Sequence, residues 1–254
     1  MQGQLSGLLR NKVNPVAALT SPGGAALYVA GVTHDGQLVR DTLAAIAARS
    51  AANPAMAAAD DATAGALEVA TRVAGLGGVT LPPAGLGYGA AYFDTRMATL
   101  AWLISAGVGV RVATLEYDQG FDFHDGQKSR QAANLAGLSQ TLAAFQADLE
   151  ARGVADRVVT LVWSEFGRRV EDNDSGGGGT DHGAGALAML IGTKVKPGIR
   201  TEFPGISSGD LDVNGNLAIP VDFRQIYATL LGGWMGTDPA EVLGSTWAPV
   251  DVLA

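Results

Sequence analysis

Apolar side chains recur every three or four positions in four stretches of the chain, which is the spacing of an amphipathic helix. The stretches lie at residues 38–50, 55–74, 93–104 and 135–149. A fifth helix is predicted over residues 221–236, because Asp222 is a suitable N-cap just before an apolar run. Glycine and proline fill the segment 75–89, so we expect an irregular loop there, and it is the best candidate for a hinge.

Four short apolar runs predict buried β-strands, one before the first of these helices and three between later ones. They lie at residues 25–31, 110–117, 158–163 and 186–192. The run VVTLVW (158–163) is uniformly apolar and rich in β-branched residues, which is typical of a strand that is covered on both faces. A strand, a helix and another strand in succession predict a right-handed parallel crossover. The order of elements therefore predicts an open α/β sheet with helices on both faces, within a single domain of residues 1–254.

Composition and charge exclude several classes of protein. An apolar fraction of 47% in 254 residues is enough to form a globular core. The net charge of −8 argues against a nucleic-acid surface, which needs clustered Lys and Arg. The chain has no cysteine, so disulfides and thiolate metal ligands are excluded. No apolar run reaches the roughly 20 residues that span a bilayer, and no export signal is recognisable, so no membrane span is expected.

Acidic residues and histidines lie at the ends of the predicted strands, which is where open α/β sheets bind ligands. These residues, with one neighbouring arginine, are Asp118, Asp122, His124, Glu165, Arg168, Asp181 and His182. Asp122 and His124 are two positions apart and can point the same way from an extended segment. The Asp181-His182 pair ends a glycine tract, which lets backbone approach a ligand closely. Glu165 is close to two arginines, and a salt-bridged structural acid explains it as well as a ligand does.

Carboxylates and imidazoles together are suitable ligands for a divalent ion such as Zn²⁺, Mn²⁺, Mg²⁺ or Ca²⁺. The sequence therefore predicts a metal site. For any one of these residues, the alternative is a side chain that caps a helix or bonds the backbone of a turn. His34 lies in a predicted turn without an evident partner, so we expect it to be exposed. The glycine tract lacks the GK[ST] ending of a phosphate-binding P-loop, so a nucleotide site is not predicted.

The motifs GFDFHDGQ, SEFGRR, GGTDHG and VDFRQIYATLLGGWMG together resemble a bacterial family catalogued as domain of unknown function 1501. The resemblance covers residues 92–254. That family is similar to the alkaline phosphatase and sulfatase superfamily. The resemblance implies a three-layer α/β/α sandwich with a mostly parallel sheet.

By position, the resemblance implies a set of metal ligands drawn from Asp122, His124, Glu165, Asp181 and His182. Glu165 stands where the superfamily has the Asp of an Asp-His pair, and Phe166 stands where it has the histidine. Phe166 cannot bind a metal, so the resemblance implies an incomplete site that would hold one ion. His182 corresponds to a later, separate histidine of the superfamily, with Asp181 beside it.

The resemblance implies a metal-dependent hydrolase of phosphate or sulfate esters, in which Arg168 steadies a small anionic substrate. The alternatives are a non-catalytic binding or structural member of the family and a truncated, inactive fragment. Relatives typically begin with a twin-arginine export signal and a glycine-rich strand end that carries an Asp. Neither is visible before Met1, so we expect an N-terminally truncated chain from a periplasmic or extracellular family.

Overall fold

The computed structural model describes residues 36–49, 53–74, 79–173 and 177–254. The chain divides into two compact units, Met1–Glu116 and Tyr117–Ala254, which are described separately below. The strand predicted at 25–31 and the side chain of His34 lie outside the described residues. No helix among the described residues is long and apolar enough to cross a membrane.

The regular secondary structure described in the first unit is all helical. Its helices are α1 (Gly36–Ala47), α2 (Pro54–Ala74) and α3 (Tyr92–Ser105), and they confirm the three helices predicted there. At the start of α2, Asn53 accepts a hydrogen bond from the Met56 amide (3.0 Å), and Pro54 occupies the first turn, where its missing N–H costs nothing. At the start of α3 the bond has the opposite direction, because Asp94, the third helical residue, accepts from the amide of the N-cap residue Ala91 (3.0 Å).

The strand predicted at residues 110–117 does not form, and that prediction is wrong. Val112 is 58% exposed, and no described strand pairs with this segment. Val110 and Val112, two apolar residues at alternate positions, are compatible with a strand. They do not create one when no neighbouring strand supplies hydrogen bonds.

The second unit begins with an irregular segment that leads into α4 (Gln127–Ala151). Leu138, Leu142, Phe145 and Leu149 are buried on one face, as the apolar spacing predicted. The helix ends at the expected place, because Gly153 adopts a left-handed conformation (φ 67°) that favours glycine. Leu135, at the N-terminal end of the predicted stripe, is exposed.

Four short strands follow α4: β1 (Thr160–Val162), β2 (Gly167–Asp172), β3 (Thr180–Gly183) and β4 (Met189–Ile191). β1 pairs with β4 and β2 pairs with β3, and both pairs are antiparallel. The β1–β4 register is continuous and places Leu161 opposite Leu190. The β2–β3 register pairs Arg168 with His182 and is irregular between Arg168 and Asp172.

The predicted three-layer α/β/α sandwich with a mostly parallel sheet is therefore wrong. Among the described residues there are two two-stranded antiparallel sheets and no parallel pair. Strands do form within the runs 158–163 and 186–192, but they pair directly with each other. An apolar run does not distinguish a parallel partner from an antiparallel one. The predicted parallel crossover does not form, because the strand expected before α4 is absent.

The chain ends with α5 (Phe223–Thr229), a π-helical turn (Leu230–Trp234) and α6 (Pro239–Leu243). Asp222 is the N-cap of α5, as predicted, and accepts from the Arg224 amide (2.8 Å). Hydrogen bonds from the Arg224 side chain and amide lower the pKa of Asp222 to about 2. The predicted helix over 221–236 is thus confirmed as two consecutive helical segments.

Candidate metal centre

The irregular segment before α4 carries Asp122 and His124. Residues in this segment alternate, so that Phe123 is buried while Asp122 and His124 are exposed. Arg130 covers the outer side of Phe123, with its guanidinium carbon 4.7 Å from the ring centre. Packing of the aromatic residue therefore turns the carboxylate and the imidazole outward on the same side.

The β2–β3 hairpin carries the other half of the site. Asp181 and His182 lie on β3, and Arg168 lies opposite His182 on β2. The strands approach closely at their ends, since a Cβ on Gly183 would lie 2.6 Å from the backbone carbonyl carbon of Arg168. The glycines thus allow backbone to approach backbone, whereas the sequence suggested that they allow backbone to approach a ligand.

Contacts between the glycine tract and the start of α4 bring the two halves together. The Gly126 amide donates to the Gly177 carbonyl (2.7 Å), and the Asn173 side-chain amide donates to the His124 carbonyl (2.9 Å). Gly179 lies so close to the His124 carbonyl that a Cβ at this position would overlap it. As a result, residues separated by about sixty positions face each other.

Asp122 is at the centre of the resulting cluster. Its Oδ1 atom lies 2.8 Å from Nε2 of His182, 3.1 Å from Nε2 of His124 and 2.6 Å from Nη2 of Arg168. The hydrogen bond from His182, followed by that from Arg168 and the nearby positive charges, lowers the pKa of Asp122 below its usual value. Asp122 therefore keeps its negative charge to lower pH than an ordinary aspartate.

Asp122, His124 and His182 each offer one ligand atom, and these atoms lie within 4.8 Å of one another. In tetrahedral zinc sites, bonds of about 2.0–2.1 Å place neighbouring ligand atoms about 3.3 Å apart. The distances of 2.8 and 3.1 Å around Asp122 Oδ1 fit such a site after small adjustments. Two imidazoles and one carboxylate are suitable ligands for a divalent ion. All three side chains are about half exposed, so solvent has access.

Asp181 and Glu165, which were also predicted as ligands, lie outside this group of three. Asp181 Oδ1 is 3.3 Å from Nδ1 of His124, which is the ring nitrogen on the far side from Asp122. Glu165 is exposed in the segment between β1 and β2. Among the described residues, no hydrogen bond or ion pair joins Glu165 to the cluster.

Arg168, predicted to hold an anionic substrate, is engaged by the protein itself. Its side chain is 16% exposed. Nη1 donates to the Thr180 carbonyl (2.7 Å), and Nη2 donates to the Phe121 carbonyl (2.9 Å) and to Asp122. The guanidinium therefore joins the hairpin to the segment that precedes α4.

Phe166 has a position that sequence reasoning missed. Its ring stacks on that of His182, with 3.9 Å between the ring centres and 16° between the planes. Phe166 comes two residues before Arg168, the register partner of His182, so it is a diagonal neighbour of that histidine across the hairpin. Had FGRR and TDHG been recognised as paired strands, their alternation would have predicted this contact.

Residues 14–246 match a family described as "Protein of unknown function (DUF1501)". The match includes every residue of the cluster and begins well before Tyr92, where the motif resemblance starts. No curated protein and no solved structure matches the chain significantly.

Proposed function

The chain belongs to the DUF1501 family, as its motifs predicted, and we propose that it binds one divalent metal ion and hydrolyses phosphate or sulfate esters. The proposed ligands are Asp122, His124 and His182. The observation that supports this proposal is the convergence of these ligand atoms within 4.8 Å, from segments about sixty positions apart. The side chains of adjacent residues often meet by chance, whereas this arrangement depends on the contacts of the hairpin.

The residues of the cluster have the properties that such a site needs. A bound divalent ion would polarise an ester oxygen and lower the pKa of a water molecule. Asp122 supplies a negative charge, and its contacts with His182 and Arg168 keep its pKa below the usual value. His124 and His182 direct Nε2 toward the same carboxylate oxygen. Their exposure leaves room for an ester and for water.

The choice of ester hydrolysis rests on the motifs. The order of Asp122-x-His124 and a later His182 is similar to the order of metal ligands in the alkaline phosphatase and sulfatase superfamily. Membership of that superfamily is part of the proposal. The described sheets differ from its sandwich, so motif order alone supports this step. The same similarity is the basis for proposing a periplasmic or extracellular location.

The metal site is tested by titrating chelator-treated protein with Zn²⁺ and Mn²⁺ in competition with a chromophoric chelator. We expect one ion per chain, and His182→Ala should weaken binding by at least about 100-fold because it removes one of three ligands. Glu171→Ala is the matched control. Glu171 lies on β2, and its side chain forms no hydrogen bond or ion pair with any described residue. Absence of stoichiometric binding by the unmodified chain would refute the proposal.

Turnover is tested separately with a generic aryl phosphate and an aryl sulfate. We expect hydrolysis that depends on the added ion and is lost in His182→Ala.

A non-catalytic, metal-binding role is the second candidate, and the position of Arg168 favours it. Two nitrogen atoms of this cation already donate hydrogen bonds to protein acceptors, and its side chain is 16% exposed. Little of the guanidinium is therefore accessible to an anionic ester. Stoichiometric metal binding without turnover of either ester would support this second function over the first.

A further inference from the structure

His124 lies between two carboxylates, one at each ring nitrogen. Nε2 is 3.1 Å from Asp122 Oδ1, and Nδ1 is 3.3 Å from Asp181 Oδ1. An imidazole ring holds these nitrogens on opposite sides, so the two carboxylates cannot both approach one ion bound to His124. Asp122 belongs to the group whose atoms converge, and Asp181 does not.

A histidine that binds a metal through one nitrogen usually donates its other N–H to a carboxylate, a carbonyl or water. This hydrogen bond fixes the tautomer and the orientation of the ring, and it makes the ligating nitrogen more basic. Asp181 is placed to accept such a bond from Nδ1 of His124. Its side chain is 59% exposed, and it comes from β3, whereas His124 comes from the segment before α4.

We infer that Asp181 is a positioning residue of the metal centre. It accepts the Nδ1–H of His124 and so leaves the Nε2 lone pair of that ring for the ion. The sequence placed Asp181 among the ligands themselves. The inference rests on the proposed metal site. It assigns different roles to two neighbouring residues: Asp181 orients a metal ligand, whereas His182 is itself a ligand.

The first test compares Zn²⁺ affinities of the unmodified chain and of Asp181→Ala, Asp181→Asn and Glu171→Ala, with His182→Ala as the reference for a lost ligand. Loss of a carboxylate that orients a metal-bound histidine typically costs 10- to 100-fold in affinity. We expect a loss in this range for Asp181→Ala. Asp181→Asn should lose less, because its amide oxygen can still accept the Nδ1–H. Glu171→Ala should stay within about twofold.

The second test determines which ring nitrogen of His124 binds the metal and which carries the proton, in Zn²⁺-loaded protein with ¹⁵N-labelled histidine. Long-range ¹H–¹⁵N spectra should show metal on Nε2 and a proton on Nδ1 that exchanges slowly with water. In Asp181→Ala, exchange of this proton should become faster. A general loss of structure would not produce this specific change, and melting curves of each variant identify any misfolded protein.

Three results would overturn the inference. The first is an unchanged Zn²⁺ affinity in Asp181→Ala. The second is a loss of affinity in Asp181→Ala as large as that in His182→Ala, which would make Asp181 a ligand. The third is metal bound to Nδ1 of His124. Each of these presupposes that the unmodified chain binds Zn²⁺. If it does not, the proposed function itself fails, so the two failures are distinguishable.

Discussion

The two small sheets of the second unit are opposite in character. β1 and β4 are apolar, half-buried and paired without a break, with Leu161 opposite Leu190. β2 and β3 are largely exposed, rich in charged residues and irregular in register. Asp181 and His182 nevertheless lie in the second sheet.

The difference shows that the two sheets are held by different forces. Burial of side chains stabilises the β1–β4 pair, whereas an exposed two-stranded hairpin is only marginally stable by itself. The β2–β3 hairpin depends on its anchors: Arg168, the Asn173 side chain and the close backbone contact at Gly179. Changes at these anchors should therefore affect metal binding, and changes in the apolar sheet should affect stability alone.

The largest effect is expected from Gly179→Ala. The added Cβ would overlap the carbonyl of His124, a backbone atom that cannot move aside as a side chain can. We expect a loss of stability of about 3 kcal/mol, since forced overlap in a packed region costs of this order. Zn²⁺ affinity should fall more than tenfold because His124 is displaced.

Thermal melting and chelator competition measure these two quantities. Gly209→Ala is the control, because nothing lies within 4 Å of its added Cβ. Normal Zn²⁺ affinity in Gly179→Ala would show that the hairpin anchor does not position the site.

An intermediate effect, on stability only, is expected from Leu161→Ala in the apolar sheet. Leu161 is half-buried, so the loss should be about 1–2 kcal/mol, less than for a fully buried leucine. Zn²⁺ affinity of the folded protein should stay within about twofold. Denaturant titration measures the stability, and Leu187→Ala, at a 75% exposed position, serves as the control. A parallel loss of metal affinity would mean that the two sheets are not independent.

The smallest effect is expected from Phe166→Ala, and it should appear in affinity. Stacked aromatic pairs contribute about 0.5–1.5 kcal/mol beyond their burial, which corresponds to roughly 2- to 12-fold in affinity. Without the stack, His182 samples more orientations, so Zn²⁺ should bind more weakly by a factor in this range. Phe166→Tyr should retain the stack and the affinity, and Phe203→Ala, at a 70% exposed position, should have no effect. Unchanged affinity in Phe166→Ala would exclude an orienting role for the stack.

The same contrast explains what the sequence could predict. The helices α1 to α4 and the runs that contain β1 and β4 carry strong apolar patterns, and their existence followed from them. The pairing of β1 with β4 did not follow, because an apolar strand is compatible with either direction. The β2–β3 hairpin was missed because its strands, GRRVED and TDHG, are polar. Its position also depends on close contacts between glycines and residues distant in the sequence, such as Gly179 with His124.

The candidate site was predictable in composition more than in arrangement. Asp122, His124 and His182 were named from their residue types and positions. The separate roles that the geometry suggests for Asp181, Arg168 and Phe166 depend on their individual contacts. Asp181 contacts one ring nitrogen of a histidine, Arg168 donates to a backbone carbonyl, and Phe166 stacks on a histidine ring. Such pairings are set by the tertiary structure, and residue type alone does not specify them.

Asp122 and His182 are sixty positions apart, and all of α4 and β1 lies between them. A single ion bound to both would close a loop of that length in the unfolded chain. For a permanent cross-link, the loss of chain entropy would amount to about 4 kcal/mol. A reversibly bound ion would instead stabilise the fold to a degree set by the free metal concentration relative to the dissociation constant, and so would act as an adjustable cross-link in a protein that has no cysteine.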